Sequence, residues 1–288
     1  MKLYDLHTHT YFSHDSKNHF ELSLEHALKN GVNGVAFTDH CDIVLAKEVD
    51  VAKPIFKAYD YAESIKQLYP DVEVLTGIEL GESIENKFLT KQILAGRDFD
   101  VVIGSVHSVF IENPPIISVE KNNSFYVYQK ANLVPYSQID FSKMTDNEIF
   151  NYFDRYLNDV FATIKKIDID VVAHLTCPDR YISGKFKRKL NLKLFEEKIT
   201  KILLLIIERD LALEVNTSGL EVFNTLYPDS WILKKYFALG GRKITLGSDA
   251  HTAQNVGKGF KKTITLLKNI GFTGSYYYKK RKPIFVKF

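Results

Sequence analysis

A chain of 288 residues, 45% hydrophobic and 25% charged, carries enough apolar material for one sizeable core, which excludes disordered and fibrous classes. Its formal net charge of +3 selects no partner: the dense basic runs at 185–189 and 279–282 are short enough to be solvated surface, so nucleic-acid binding is not expected. Two cysteines, Cys41 and Cys177, exclude a disulfide framework and are read as buried free thiols, although both lie beside candidate metal ligands.

The chain opens on polar, histidine-rich sequence without an apolar signal segment. Its longest apolar run, 202–207, is far below the roughly 20 residues that a membrane span needs, so a cytoplasmic protein is expected. Short apolar segments then alternate with amphipathic ones. The pattern predicts strands at 2–6, 35–37, 72–78, 101–106, 170–173, 212–215 and 243–246, and helices at 21–29, 59–68, 146–166, 192–208, 230–238 and 255–269. Gly31, the Gly240-Gly241 pair and Asp146 punctuate the helix ends. This rhythm places the chain in the α/β class, as one domain over 1–288 built on a parallel barrel or open sheet. Segment 109–142 interrupts it with Pro114-Pro115, Asn122, Asn123 and several tyrosines. An insertion of that length in a compact domain is expected to be a functional lid or an excursion.

The chemistry concentrates at the strand exits, where parallel barrels keep their active sites. His7 and His9 leave the first strand two residues apart, so both imidazoles face one side and can share a cation. The following exits read Phe37-Thr38-Asp39-His40, Gly77-Ile78-Glu79, Gly104-Ser105-Val106-His107, Val172-Ala173-His174 and Gly247-Ser248-Asp249-Ala250-His251. Any one of these histidines would ordinarily be a satisfied core or surface residue. Their repetition with Glu79 and Asp249 at equivalent positions points to a polynuclear metal centre, because imidazole and carboxylate suit zinc, iron and manganese. His19 and His26 fit no such pattern.

Taken in order with Asp5-Leu6-His7-Thr8-His9-Thr10, these blocks resemble the sequential motifs of the PHP (polymerase and histidinol phosphatase) superfamily across nearly the whole chain. Tyr11-Phe12-Ser13-His14-Asp15-Ser16 and Glu214-Val215-Asn216-Thr217-Ser218-Gly219-Leu220 resemble the histidinol-phosphate phosphatase branch in particular. The resemblance implies a distorted (β/α)7, TIM-like barrel with three divalent transition-metal ions (Zn, Fe and/or Mn). It assigns His7, His9, Glu79 and Asp249 to a first ion. Glu79 then bridges to a second ion held by His107 and His174, and a third takes Asp15, His40 and His251. Asp15 is preferred to the adjacent His14 on alignment to the first motif. Glu79, Asp249 and His251 are also the expected catalytic residues.

The implied activity is a metal-dependent phosphatase of histidine biosynthesis, acting on the small substrate L-histidinol phosphate. Arg180, six residues beyond His174, is the candidate phosphate-binding cation, since a guanidinium binds phosphate bidentately. The chain departs from the branch at Glu221-Val222, where relatives often carry Arg or Lys. Glu221 and Asp42 are candidates for recognising the cationic amino alcohol, and Phe125, Tyr126 and Tyr128 for closing over it. The rival readings are a related phosphoesterase acting on phosphotyrosine, nucleotides or phosphodiesters, an amidohydrolase barrel, and a non-catalytic metal-binding protein.

Overall fold

The computed structural model describes residues 1–117 and 133–288. Phe125, Tyr126 and Tyr128 lie outside the described residues.

Seven parallel strands are the staves of the barrel: β1 (Tyr4–Thr8), β2 (Gly34–Phe37), β4 (Glu73–Gly81), β5 (Val101–Ser105), β8 (Val171–Val172), β9 (Ala212–Asn216) and β10 (Ile244–Gly247). An eighth, β3 (His40–Asp42), continues from β2 and pairs with the upper half of β4, setting His40 opposite Glu79. The ring all but closes between first and last strands. His9 N donates to Ala250 O at 2.9 Å and Asp249 N to His7 O at 2.8 Å, so the two ends of the chain's motif series lie side by side.

The expected strands all form, two of them ending a few residues further on. The long middle helix α4 (Asp146–Lys166) also lies where the pattern puts it, because Thr145 and Glu148 form a reciprocal capping box at its start. So does α7 (Ser230–Ala238), capped by Asp229. Other helix bounds differ from expectation. The first, α1 (Phe20–Asn30), is one residue longer at each end, and α2 (Ala52–Ile65) starts seven residues early. Helix α5 (Glu196–Glu208) begins after a separate 3-10 turn over Leu192–Phe195. Helix α8 (Phe260–Ile270) starts five residues late because Gly257 and Gly259 take φ of 70° and 80°. The Gly257 amide is there drawn onto the Asp5 carboxylate at 2.8 Å. Helices α3 (Lys87–Ala95) and α6 (Leu220–Phe223) are additional elements.

Insertion 109–142 does contain structure at its described ends. Strand β6 (Ser108–Phe110) pairs antiparallel with β7 (Leu133–Pro135), and a 3-10 turn over Tyr136–Gln138 follows. Tyr136 N donates to His107 O at 3.0 Å, which fastens this turn to the barrel mouth.

Two apolar layers hold the barrel. Leu6, Leu75, Val101 and Ile103 fill its interior, while a larger cluster packs strands against the helices. A second hairpin, β11 (Gly274–Lys279) and β12 (Lys282–Lys287), plugs the amino-terminal end of the barrel. Its Tyr278 is buried in the interior cluster, and Tyr277 stacks on Tyr4 at 3.8 Å between centroids. The histidine-rich set of side chains converges at the opposite, carboxyl-terminal mouth.

Candidate metal centre

On β1, Leu6 belongs to the interior cluster, and the strand's pairing with β2 is irregular between Asp5 and Thr8, where His7 and then His9 reach the barrel mouth, both fully buried. Glu79 sits between them and the opposite wall. Its Oε1 lies 3.1 Å from His107 Nε2 and 2.9 Å from His174 Nε2. Its Oε2 lies 3.4 Å from His7 Nε2, 3.6 Å from His9 Nε2 and 2.8 Å from His40 Nδ1. Asp249 Oδ1 completes the near side at 3.3 Å from His9 Nε2 and 3.8 Å from His7 Nε2. Asp15 spans the outer side, 3.6 Å from His40 Nε2 and 3.2 Å from His251 Nε2.

All nine sequence-nominated ligands therefore converge. Asp15 lies between His40 and His251, and His14 lines the cavity beside His40.

The residues fit metal ions. His7 Nε2, His9 Nε2, His40 Nδ1 and Glu79 Oε2 are buried without a hydrogen bond, an arrangement that is costly unless something else satisfies them. His9 Nε2 stands 3.3 to 3.6 Å from the two carboxylates without a hydrogen bond to either. These separations match two ligands each about 2.1 Å from one cation. Donor triads within 4.8 Å of one another include His7, His9 and Asp249, then His7, Glu79 and His174, and also His9, His40 and His251. A fourth triad joins His40, Asp42 and His107.

The electrostatics favour cations. Burial would raise the Glu79 carboxyl, but His107, His7 and His40 hold it well below the usual carboxylate range. Asp249 is held down against burial in the same way, by the nearby imidazoles of His9 and His7 and by Arg180. Burial, helped by His251 and His40, pushes His9 well below its ordinary value and leaves a neutral, ligand-ready imidazole. Asp249 also takes φ of 55°, a strained conformation for a non-glycine residue and of the kind that clusters at functional sites.

The centre floors a cavity of about 270 Å³. Leu45, Pro135, Tyr136, Gln138 and Tyr181 form its walls, so the described end of the insertion does reach the site. Arg180 is no surface arginine: it lines this cavity, donates to Asp249 Oδ2 at 3.1 Å and to the Ser218 hydroxyl, and lies over the Tyr227 ring.

One nominated substrate contact is corrected. Glu221 is 59% exposed and paired with Lys258, outside the cavity lining. The other nominated contact, Asp42, does line the cavity, with its Oδ1 3.0 Å from His107 Nδ1. Both cysteines are buried and free, and burial pushes both thiols up, against a thiolate ligand.

Sequence reasoning missed the supporting groups. Glu214 accepts from His7 Nδ1 at 2.7 Å, Ser13 Oγ meets His9 Nδ1 at 3.1 Å and donates to Asp39, and Asp5 accepts from the backbone of Ser248 and Gly257. Glu214, Asp39 and Asp5 stand within the motif blocks, but nothing in the spacing shows which way they face.

A model of the PHP domain matches residues 5–218. The probable histidinol-phosphatase of Clostridium acetobutylicum is 28% identical over 285 residues, covering 96% of this chain and 98% of that protein. The histidinol-phosphatase of Lactococcus lactis subsp. lactis is 26% identical over 275 residues, with 94% and 93% covered. A solved structure of histidinol phosphate phosphatase from Lactococcus lactis, complexed with zinc, L-histidinol and phosphate, superposes with a TM-score of 0.73 at 23% identity. It covers 99% of this chain and 100% of that one, and the fold is shared.

Proposed function

Because the chain belongs to the PHP domain family, we propose that it is a metal-dependent phosphomonoesterase that hydrolyses L-histidinol phosphate to L-histidinol and phosphate. The observation that carries this reading is the convergence of nine candidate metal-ligand side chains under a cavity the size of a small phosphomonoester. Two relatives matched over almost their whole length bear the same activity in their names.

His7, His9, Glu79 and Asp249 would hold one ion, Glu79, His107 and His174 a second, and Asp15, His40 and His251 a third. Bound there, divalent ions supply Lewis acidity toward the phosphoryl oxygens and acidify a water that can attack phosphorus. The chain's own groups do the rest. Glu79 presents its two oxygens to opposite walls and so sets the spacing of the centre. Arg180 offers a fixed cationic fork at the cavity edge, suited to the equatorial oxygens of a phosphoryl group. Tyr136, Gln138 and Tyr181 wall the cavity and exclude bulk water from the leaving group.

The test is phosphate release by purified, metal-replete protein offered L-histidinol phosphate, phosphotyrosine, nucleotides and a phosphodiester. L-histidinol phosphate should be cleaved with the highest kcat/KM. Efficient cleavage of the phosphodiester with none of L-histidinol phosphate would replace the phosphatase reading with a nuclease-like one.

A further inference from the structure

Two of the candidate ligands are backed in the same unusual way, on the ring nitrogen turned away from the centre. Glu214 Oε1 lies 2.7 Å from His7 Nδ1, and Asp42 Oδ1 lies 3.0 Å from His107 Nδ1. Their side chains are only 1% and 5% exposed. Each carboxylate occupies room that a strand-end glycine leaves. A Cβ on Gly247 would overlap Glu214 Oε1 and come within 2.8 Å of His7 Cβ. On Gly81 it would overlap Asp42 Oδ1 and come 3.1 Å from His107 Nδ1. Gly81 and Gly247 have ordinary negative φ, unlike the glycines of the turns, so what these positions require is space and not backbone freedom.

We propose that Glu214 and Asp42 are positioning residues of the metal centre, seated in slots kept open by Gly247 and Gly81, and that they hold the proton of His7 and His107 on Nδ1. The Nε2 lone pair of each ring is thereby aimed at the centre. A carboxylate is suited to this because it can only accept, which leaves the imidazole one tautomer. The proposal rests on reading the barrel mouth as a metal centre.

Glu214 carries the heavier duty. Its second oxygen accepts from the His174 backbone amide at 2.5 Å and from Asn216 Nδ2 at 3.3 Å. One side chain thus ties the ligand of β1 to the ligand after β8. A carboxamide at 214 has a single acceptor oxygen for two histidine donors. If that oxygen keeps the fixed backbone amide of His174, the amide nitrogen faces His7 Nδ1 and drives the ring proton onto Nε2. Asp42 serves one histidine donor, which the oxygen of an asparagine can still accept.

The experiment strips wild type, Glu214→Gln, Asp42→Asn and Gly247→Ala of metal, reloads each with zinc, and measures zinc retained against a graded chelator. Thermal unfolding of the metal-free proteins runs alongside. Glu214→Gln should retain zinc about 10–100-fold more weakly than wild type, the usual scale for loss of such a partner. Gly247→Ala should follow it, Asp42→Asn should lose less, and metal-free Glu214→Gln should unfold no earlier than metal-free wild type. Wild-type zinc affinity in Glu214→Gln overturns the proposal. So does a Glu214→Gln protein that fails to fold without metal where wild type folds, because its role is then structural. A wild type that holds no zinc removes the centre itself and the proposal with it. One that holds zinc but ignores L-histidinol phosphate loses only the substrate assignment, and the retention series still decides.

Discussion

Glu79 is fully buried, and its two oxygens face five imidazoles from both walls of the barrel. No neutral group of the same shape can serve that many donors or ligands. Glu79→Gln is therefore expected to lower kcat by at least about a thousandfold, the scale for removing a principal electrostatic element of a site, with loss of bound metal by elemental analysis. Arg180 acts differently. It touches Asp249 through Oδ2, whereas Asp249 faces His9 through Oδ1, so losing the guanidinium leaves the metal-facing oxygen in place. Arg180→Ala should cost about 1.5–3 kcal/mol in kcat/KM for L-histidinol phosphate, the value of a charge-assisted contact. Its metal content should stay at the wild-type level, and a fall in metal content would show that the arginine supports the centre and not the substrate.

Among the elements, α4 offers the sharpest test of how the barrel wall is held. Its capping box joins Thr145 and Glu148, and Thr145→Ala should lower stability by about 0.5–2 kcal/mol, read in a denaturant titration with turnover unchanged. Further along the helix, burial raises the Asp159 carboxyl to about 6, with Arg155 nearby only partly offsetting it. A carboxyl raised in the folded state is one whose charged form the fold disfavours. The contribution of Asp159 to stability should accordingly fall as pH rises from about 4 through 6 and level off above, where the penalty is complete. Asp159→Asn should flatten that slope and leave the protein more stable than wild type at pH 7; an unchanged pH profile would show that Asp159 titrates normally.

On the scale of the whole molecule, the barrel is apolar and plugged at one end, and lined with carboxylates and imidazoles at the other. Ions that bind the folded state alone must stabilise it by mass action. Purified protein should contain close to three transition-metal ions per chain, and chelation should lower Tm and abolish phosphate release together, with readdition restoring both. Full activity in a metal-free preparation would contradict the proposed chemistry.

Much of this was legible in the sequence because the barrel repeats one local event. Each stave is a short apolar run ending in a polar side chain, and alternation along a strand states which side chains share a face, so His7, His9, Glu79, His107 and Asp249 could be nominated from spacing and motif. What the strands do not encode locally is the ring they form. Only closure of β1 against β10 brings His7 beside Asp249 and Glu214, and only the β6–β7 return puts Tyr136 and Gln138 over the cavity. Pairing of β3 with β4 and of β4 with β5 brings Asp42 onto His107 at the cavity wall, and Glu221 is left outside, which overrides the substrate contact that charge alone suggested for Glu221. The sequence by itself determined an α/β chain of parallel strands with candidate metal ligands at their exits, because these follow from period and residue type; the barrel was implied by the family resemblance. The direction in which Glu214, Asp42 and Arg180 point was decided only by tertiary structure, because it depends on contacts between residues 38 to 207 positions apart.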